Sequence, residues 1–328
     1  VPDLETPPQP IAGDHSNEAA GSAGAGVPRA RDRARLLALS GATTIAFSST
    51  LVRLSKASPS TAAIFRCAYA LPVLAVLAYR EDRRLGARSW RERRPALIAG
   101  VFFAADLILW HNSIEDVGAG LATVLANGQV VVLPLVAWVL RSEYPGVRLL
   151  AAIPLAGCGV VLISGVFGHH AYGRHPTAGA IYGVAAGIAY AGFLFLLREG
   201  GADLRRTAGG LCDATAVATL TAIAAGLVIG DARLVPSWPG AGWLTVLALS
   251  SQVLGWLLIA RSLPRAPAAL VAVLLTFQPI GSVAIAAAVL GESPSSLQLL
   301  GVAIVLAALL AATLGRAAPV ALARTEGQ

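Results

Sequence analysis

Apolar runs of about twenty residues recur along the chain, at about 36–54, 60–79, 95–113, 118–140, 147–167, 177–197, 210–230, 241–260, 267–290 and 297–315. A helix rising ~1.5 Å per residue crosses a ~30 Å hydrocarbon layer in about twenty residues, and lipid offers the backbone no hydrogen-bond partners. Each run is therefore expected to be a membrane helix, and the runs are numbered below as segments one to ten. Of 328 residues 56% are hydrophobic and 13% charged, where soluble domains carry about 25% charged residues. The expected class is an all-α polytopic membrane protein.

A formal net charge of +7 raises nucleic acid as a partner. The arginines and the single lysine, Lys56, sit mostly between the apolar runs rather than on one basic face, which argues against it. Their distribution instead sets an orientation. With the N-terminus cytoplasmic, twenty arginines fall inside: four at 29–35, seven at 80–94, then Arg141, Arg148, Arg198, Arg205, Arg206, Arg261, Arg265, Arg316 and Arg324. Outside lie Arg53, Lys56, Arg174 and Arg233, while Arg66 falls within segment two. This bias predicts cytoplasmic N- and C-termini and an even number of crossings. Residues 1–35, rich in Pro, Gly, Ala and polar residues and without a signal-peptide core, are expected to form a disordered cytoplasmic tail, and 316–328 a cytoplasmic C-terminal tail. Abundant arginine with one lysine fits a GC-rich genome, and the expected location is a bacterial inner membrane.

A weak repeat lies at an offset of 149 residues. Ala119, Leu121, Val124, Leu125, Gln129, Glu143, Pro145 and Leu150 recur as Ala268, Leu270, Val273, Leu274, Gln278, Glu292, Pro294 and Leu299. Apolar composition alone does not supply the matching Gln and Glu-x-Pro. An odd number of segments per half, 36–167 and 177–315, makes the halves inverted, and inverted repeats place a substrate path near the midplane between them.

The stretches from Asp106 to Glu143 and from Ser251 to Leu310, with "SPSTAAIFRCAYALP" at segment two and "GIAYAGFLFLLR" in segment six, resemble the two halves of an EamA-type member of the drug/metabolite transporter superfamily. The resemblance covers about residues 36 to 315 and implies ten helices in two inverted repeats, with export of small metabolites as the usual activity. Arg66 matches an arginine frequent at that place in the family. One departure concerns segment four, where Val130 stands at the position its counterpart Pro279 holds in segment nine. A kink or unwound turn is therefore expected in segment nine rather than in segment four.

Polar residues inside apolar runs are the candidates for function. Asp106, near the middle of segment three, reads as a proton carrier for coupled transport or as a structural carboxyl bonded to neighbouring helices. Trp110 follows on the same helical face and reads as a cavity wall or an interfacial tryptophan. His111 is a gate or substrate contact, or a histidine satisfied by its neighbours. Arg66 is a structural residue or an anchor for anionic groups. Asn127, Gln129, Gln252 and Gln278 place amides at mid-depth, either as glue between helices or, for the repeat-related Gln129 and Gln278 above all, as solute contacts. Tyr190 lines the cavity or abuts lipid, as does Tyr182. Gly179, Gly183, Gly187 and Ala191 form a small-residue stripe for close helix packing. Asp213 is expected as an interfacial carboxylate.

Cys67, Cys158 and Cys212 lie in apolar stretches with no metal-ligand spacing, so neither a metal nor another cofactor is expected. The chain has no Walker A motif, no HExxH and no Ser-His-Asp grouping, and the reading is a transporter rather than an enzyme. His111 and Asp116, an H-x4-D pair, keep a membrane acyltransferase as the alternative from another class. The expected partners are a small amphipathic or amino-acid-like solute, exported or imported, and the bilayer, with a homodimer left open.

Overall fold

The computed structural model describes residues 26–314 apart from 143, 145, 169, 201–205, 236 and 263–267. Among the described residues every regular element is helical. Eight helical stretches are long and apolar enough to cross a membrane: Leu36–Ser55, Pro59–Leu85, Trp90–Val117, Ala119–Arg141, Pro176–Gly200, Ala208–Ile229, Gly240–Ile259 and Ser296–Thr313. They match segments one to four, six to eight and ten. Segments five and nine give the shorter apolar helices Val147–Ile163 and Phe277–Leu290. Many large apolar side chains, among them Val76, Ile98, Leu220 and Val228, point outward, while Asp106, Arg66 and Gln252 are buried. That inside-out arrangement suits a hydrocarbon solvent.

The first helix begins at Gly26, ahead of its apolar part, so 26–35 continue the helix backbone instead of belonging to an unstructured tail. Arginine and alanine, which dominate that stretch, are good helix formers. Residues 1–25 and 315–328, and with them the C-terminal tail, lie outside the described residues.

The principal contacts between the halves map onto one another when each segment is exchanged for its repeat counterpart. Segment three against six becomes eight against one, four against six becomes nine against one, and three against seven becomes eight against two; two–seven, four–nine and five–ten map onto themselves. The glycine stripe of segment six makes one of these contacts possible. A Cβ on Gly179 would stand 2.7 Å from Val117 Cβ, on Gly183 2.6 Å from Leu125 Cβ, and on Gly187 2.9 Å from the Ala126 carbonyl. Ser113 Oγ uses the closeness to donate to Gly179 O at 2.7 Å.

Carboxylates from one half cap helix N-termini of the other, where backbone N–H groups lack partners. Asp231 Oδ2 accepts from Ser60 N at 3.1 Å, and Glu81 accepts from the N–H groups of Ala208 and Gly209, each at 2.9 Å. Pro59 and Ala208, where these helices start, are themselves 149 residues apart, as are Asp82, next to Glu81, and Asp231. Glu292 takes Ala119 N at 2.7 Å and Gly120 N at 3.1 Å. Asp213 is held between Arg88 at 2.9 Å and Arg93 at 3.0 Å, so it is a buried ion-pair partner.

The helix break lies in segment four, contrary to the expectation drawn from proline. Helix Ala119–Ala126 stops at Asn127–Gly128 and helix Gln129–Arg141 resumes, whereas the helix of segment nine runs through Pro279 from Ala268 to Ile285. At the break the backbone tightens to three-residue bonds, Gly128 N to Leu125 O at 3.0 Å and Val131 N to Gly128 O at 2.9 Å. The Asn127 amide also donates to Thr123 O at 2.8 Å, beside the helical bond that the same carbonyl takes from Asn127 N at 3.2 Å. Glycine next to such an asparagine is the weaker point, because a proline in a membrane helix removes only one donor and its neighbours make good the loss.

Candidate functional site

The break opens beside a cavity of about 60 Å³ between the halves. At roughly 10–15 Å³ per water-sized position it admits a few small groups. Segment three supplies Phe103, Asp106, Leu107 and Trp110, one helical face at three- and four-residue spacing. Segment four supplies Thr123, Ala126, Asn127 and Gln129; Ile45 and Ser48 of segment one, Arg66, Tyr190, Trp256 and Gln278 complete the wall. Both halves therefore contribute.

Arg66 is 6% exposed. Its Nε donates to Gln252 Oε1 at 3.1 Å and its guanidinium stands over Trp110, 5.5 Å from the ring centre. Gln252 is fully buried and sits in a π-helical stretch, Ala248–Gly255, that interrupts segment eight. The wide turn re-aims side chains relative to an α-helix and is frequent at functional sites. Asp106, 7% exposed, shares the cavity wall with Arg66, so residues of opposite charge type line one space. An aromatic cluster backs them: Phe103 and Tyr190 stack on Phe193 at 4.5 and 5.7 Å, and Trp256 meets Phe193 edge-on at 5.8 Å. Beside the cavity a hydroxyl chain joins three segments, Ser49 to Ser282 at 2.7 Å and Ser282 to Thr123 at 3.0 Å.

Of the residues singled out in the sequence, Arg66, Asp106, Trp110, Asn127, Gln129, Tyr190 and Gln278 line this one cavity. Gln252 stands behind Arg66. His111 is not in the wall: it is 1% exposed and its Nδ1 bonds Pro59 O at 3.0 Å. Asp116 pairs with His175 at 3.2 Å, so the two members of H-x4-D have different partners and the acyltransferase reading has no support. Phe103 and Leu107 escaped the sequence reading although their spacing from Asp106 and Trp110 carried the signal. Ser48, Thr123 and Trp256 had no local signal. Among the described residues no cluster of His, Cys, Asp and Glu could hold a metal ion.

The deciding comparison is with families. The model of the EamA-like transporter family matches residues 33–165 and again 177–314, one copy in each half. The chain belongs to the EamA-like transporter family. Its two copies coincide with the halves that the contact pattern exchanges, so this EamA-like protein is a multi-pass membrane protein of two-repeat architecture. A crystal structure of a protein 17% identical in sequence matches with a TM-score of 0.55 over 87% of this chain and 97% of its own, which shows a shared fold. No curated protein matches in sequence.

Proposed function

We propose that the chain is a secondary transporter of ten crossings, with both termini cytoplasmic in a bacterial inner membrane, that exports a small amphipathic, amino-acid-like solute by alternating access. The observation that carries the reading is the cavity itself, lying between the two repeats and lined from both halves by Asp106, Arg66, Gln129 and Gln278. A solute held there is released to either side as the halves rock about it. The arginine bias supports the orientation, and the usual activity of the family supports export. Asp106 is the proton carrier of the cycle, the carboxyl that meets the solute cavity from the middle of a crossing helix.

An untargeted comparison of metabolites accumulating outside cells with and without the protein tests the reading. A solute class enriched outside only when the protein is present is expected, and no difference across growth conditions counts against export. Asp106→Asn keeps hydrogen bonding but cannot titrate, so it should abolish flux driven by a pH gradient while leaving equilibrium exchange. Full gradient-driven flux in the folded Asn variant removes Asp106 from coupling.

A further inference from the structure

Between 80 and 94 the sequence holds seven arginines, whereas the repeat counterpart, 229–243, holds only Arg233. The repeated fold therefore does not require them. Two are used within the chain, since Arg88 and Arg93 hold Asp213. The acids of the stretch are used as well: Glu81 caps the helix at Ala208, Asp82 stands 3.6 Å from Arg88 and 3.5 Å from Arg206, and Glu92 takes Ser89 N at 2.7 Å. Arg80, Arg83, Arg84, Arg91 and Arg94 remain exposed, with no acidic partner among the described residues. Like charges at this density repel one another, and anions from outside the chain relieve that.

Their position says which anions. Helices Pro59–Leu85 and Trp90–Val117 have 27 and 28 residues. At ~1.5 Å per residue each is ~40 Å long, about 10 Å more than the hydrocarbon layer, and the charged turns are the ones left at headgroup depth. Tyr79 and Trp90 are 63% and 64% exposed in those turns, as the side chains of an interfacial belt are, and the Arg83 guanidinium stands over the Tyr79 ring, 5.8 Å from its centre. The arginines also continue outward-facing apolar rows. At three- and four-residue spacing Arg80 and Arg83 follow Val73 and Val76 on segment two, while Arg91 and Arg94 precede Ile98 and Val101 on segment three, all of them exposed. Cations on such rows are set toward the lipid around the helices rather than over the end of the bundle.

We propose that these five arginines form a rim that docks anionic phospholipid headgroups. A guanidinium fork matches a phosphodiester with two parallel bonds, and a headgroup with no cation of its own leaves its charge to the arginine. Nothing here depends on the solute or on which side of the membrane the rim lies.

The test uses the full chain in nanodiscs of mixed phosphatidylglycerol and phosphatidylcholine, one of the two brominated in the upper acyl chain at a time. Trp90 is the local reporter, its quenching taken as the difference between the parent and Trp90→Phe. Phosphatidylglycerol should be preferred beside Trp90 by at least about fivefold, the effect of one engaged arginine. Raising salt from ~0.1 M to ~1 M shortens the screening length from ~10 Å to ~3 Å and should remove most of the preference. Replacing the five arginines by Gln should abolish it, whereas Arg148→Gln with Arg198→Gln, two other exposed arginines, should leave it intact. Equal quenching by the two lipids in the parent overturns the proposal, as does an equal loss in the Arg148 and Arg198 variant, which would mean diffuse surface charge. Release of phosphatidylglycerol by inorganic phosphate or by a short RNA at constant ionic strength also overturns it, because a soluble anion would then be the partner. The parent measurements decide even where the Gln variant inserts wrongly.

Discussion

Glu292 offers a sharp test of how one end of the helix bundle is held. Its carboxylate lies between segments nine and ten, is 5% exposed, and takes the N–H groups of Ala119 and Gly120 at 2.7 and 3.1 Å. Gly118, just before that helix, has φ +96°, and a Cβ there would stand 2.9 Å from Glu292 Oε2, so the chain is shaped to let the carboxylate in. Glu292→Ala leaves two buried donors without an acceptor. Capping substitutions cost ~0.5–2 kcal/mol and an unanswered buried donor ~1–3 kcal/mol, so a loss of about 2–4 kcal/mol is expected. Glu292→Gln keeps one acceptor oxygen and should cost about half of that. Burial pushes the Glu292 carboxyl above the usual range, against the two backbone bonds and Arg53, which pull it down. The folded state therefore holds its proton to higher pH than the unfolded chain, and this group's contribution to stability declines as pH rises from the ordinary carboxylate range through the raised value. Thermal unfolding in detergent across pH reads both effects. A Gln variant as stable as the parent, or one that keeps the parent's full pH slope, refutes the reasoning.

Other consequences are simpler to check. Gly183→Val places atoms where Leu125 Cβ would already be 2.6 Å from a Cβ, and should cost about 1–3 kcal/mol by overpacking, whereas Gly157→Ala, with nothing within 4 Å, should be neutral or slightly stabilising in the same melting assay. Replacing Gln129 or Gln278 by Leu should lower solute affinity by an amount worth ~1–3 kcal/mol while changing stability by only ~0.6 kcal/mol; unchanged affinity in both assigns them to packing. A topology reporter fused after Arg94 should read cytoplasmic and one near His170 extracytoplasmic, and opposite readings at both would invert the orientation.

The class of fold was legible because the bilayer imposes a length and a composition on each crossing, and the halves were legible because Gln129, Gln278 and the Glu-x-Pro pairs stand out from apolar sequence. Asp106 and Arg66 were visible for the same reason, a charge within a crossing having to face protein or water, and Trp110 because it follows Asp106 on the same helical face. The break in segment four was not, since a proline is conspicuous while the bond from the Asn127 amide to the Thr123 carbonyl depends on a rotamer. Trp256 and Ser48 reach the cavity only through the packing of segments eight and one, which no spacing in their own segments encodes. The role of Gln252 behind Arg66 likewise depends on a π-helical turn that apolar periodicity does not announce.

The reciprocal caps bear on ancestry. Asp231 serves the start of the helix at Pro59, and Glu81 serves the start of the helix at Ala208, so each half caps a helix of the other. A single ancestral five-helix unit, inserted in both orientations, would already have carried one cap to give and one helix start to receive, so that two antiparallel copies closed on each other before any gene fusion. On that view the peptide between 164 and 175 is a late convenience. The two halves, expressed as separate chains, should still find each other in the bilayer, because what each lacks at a helix end its neighbour supplies.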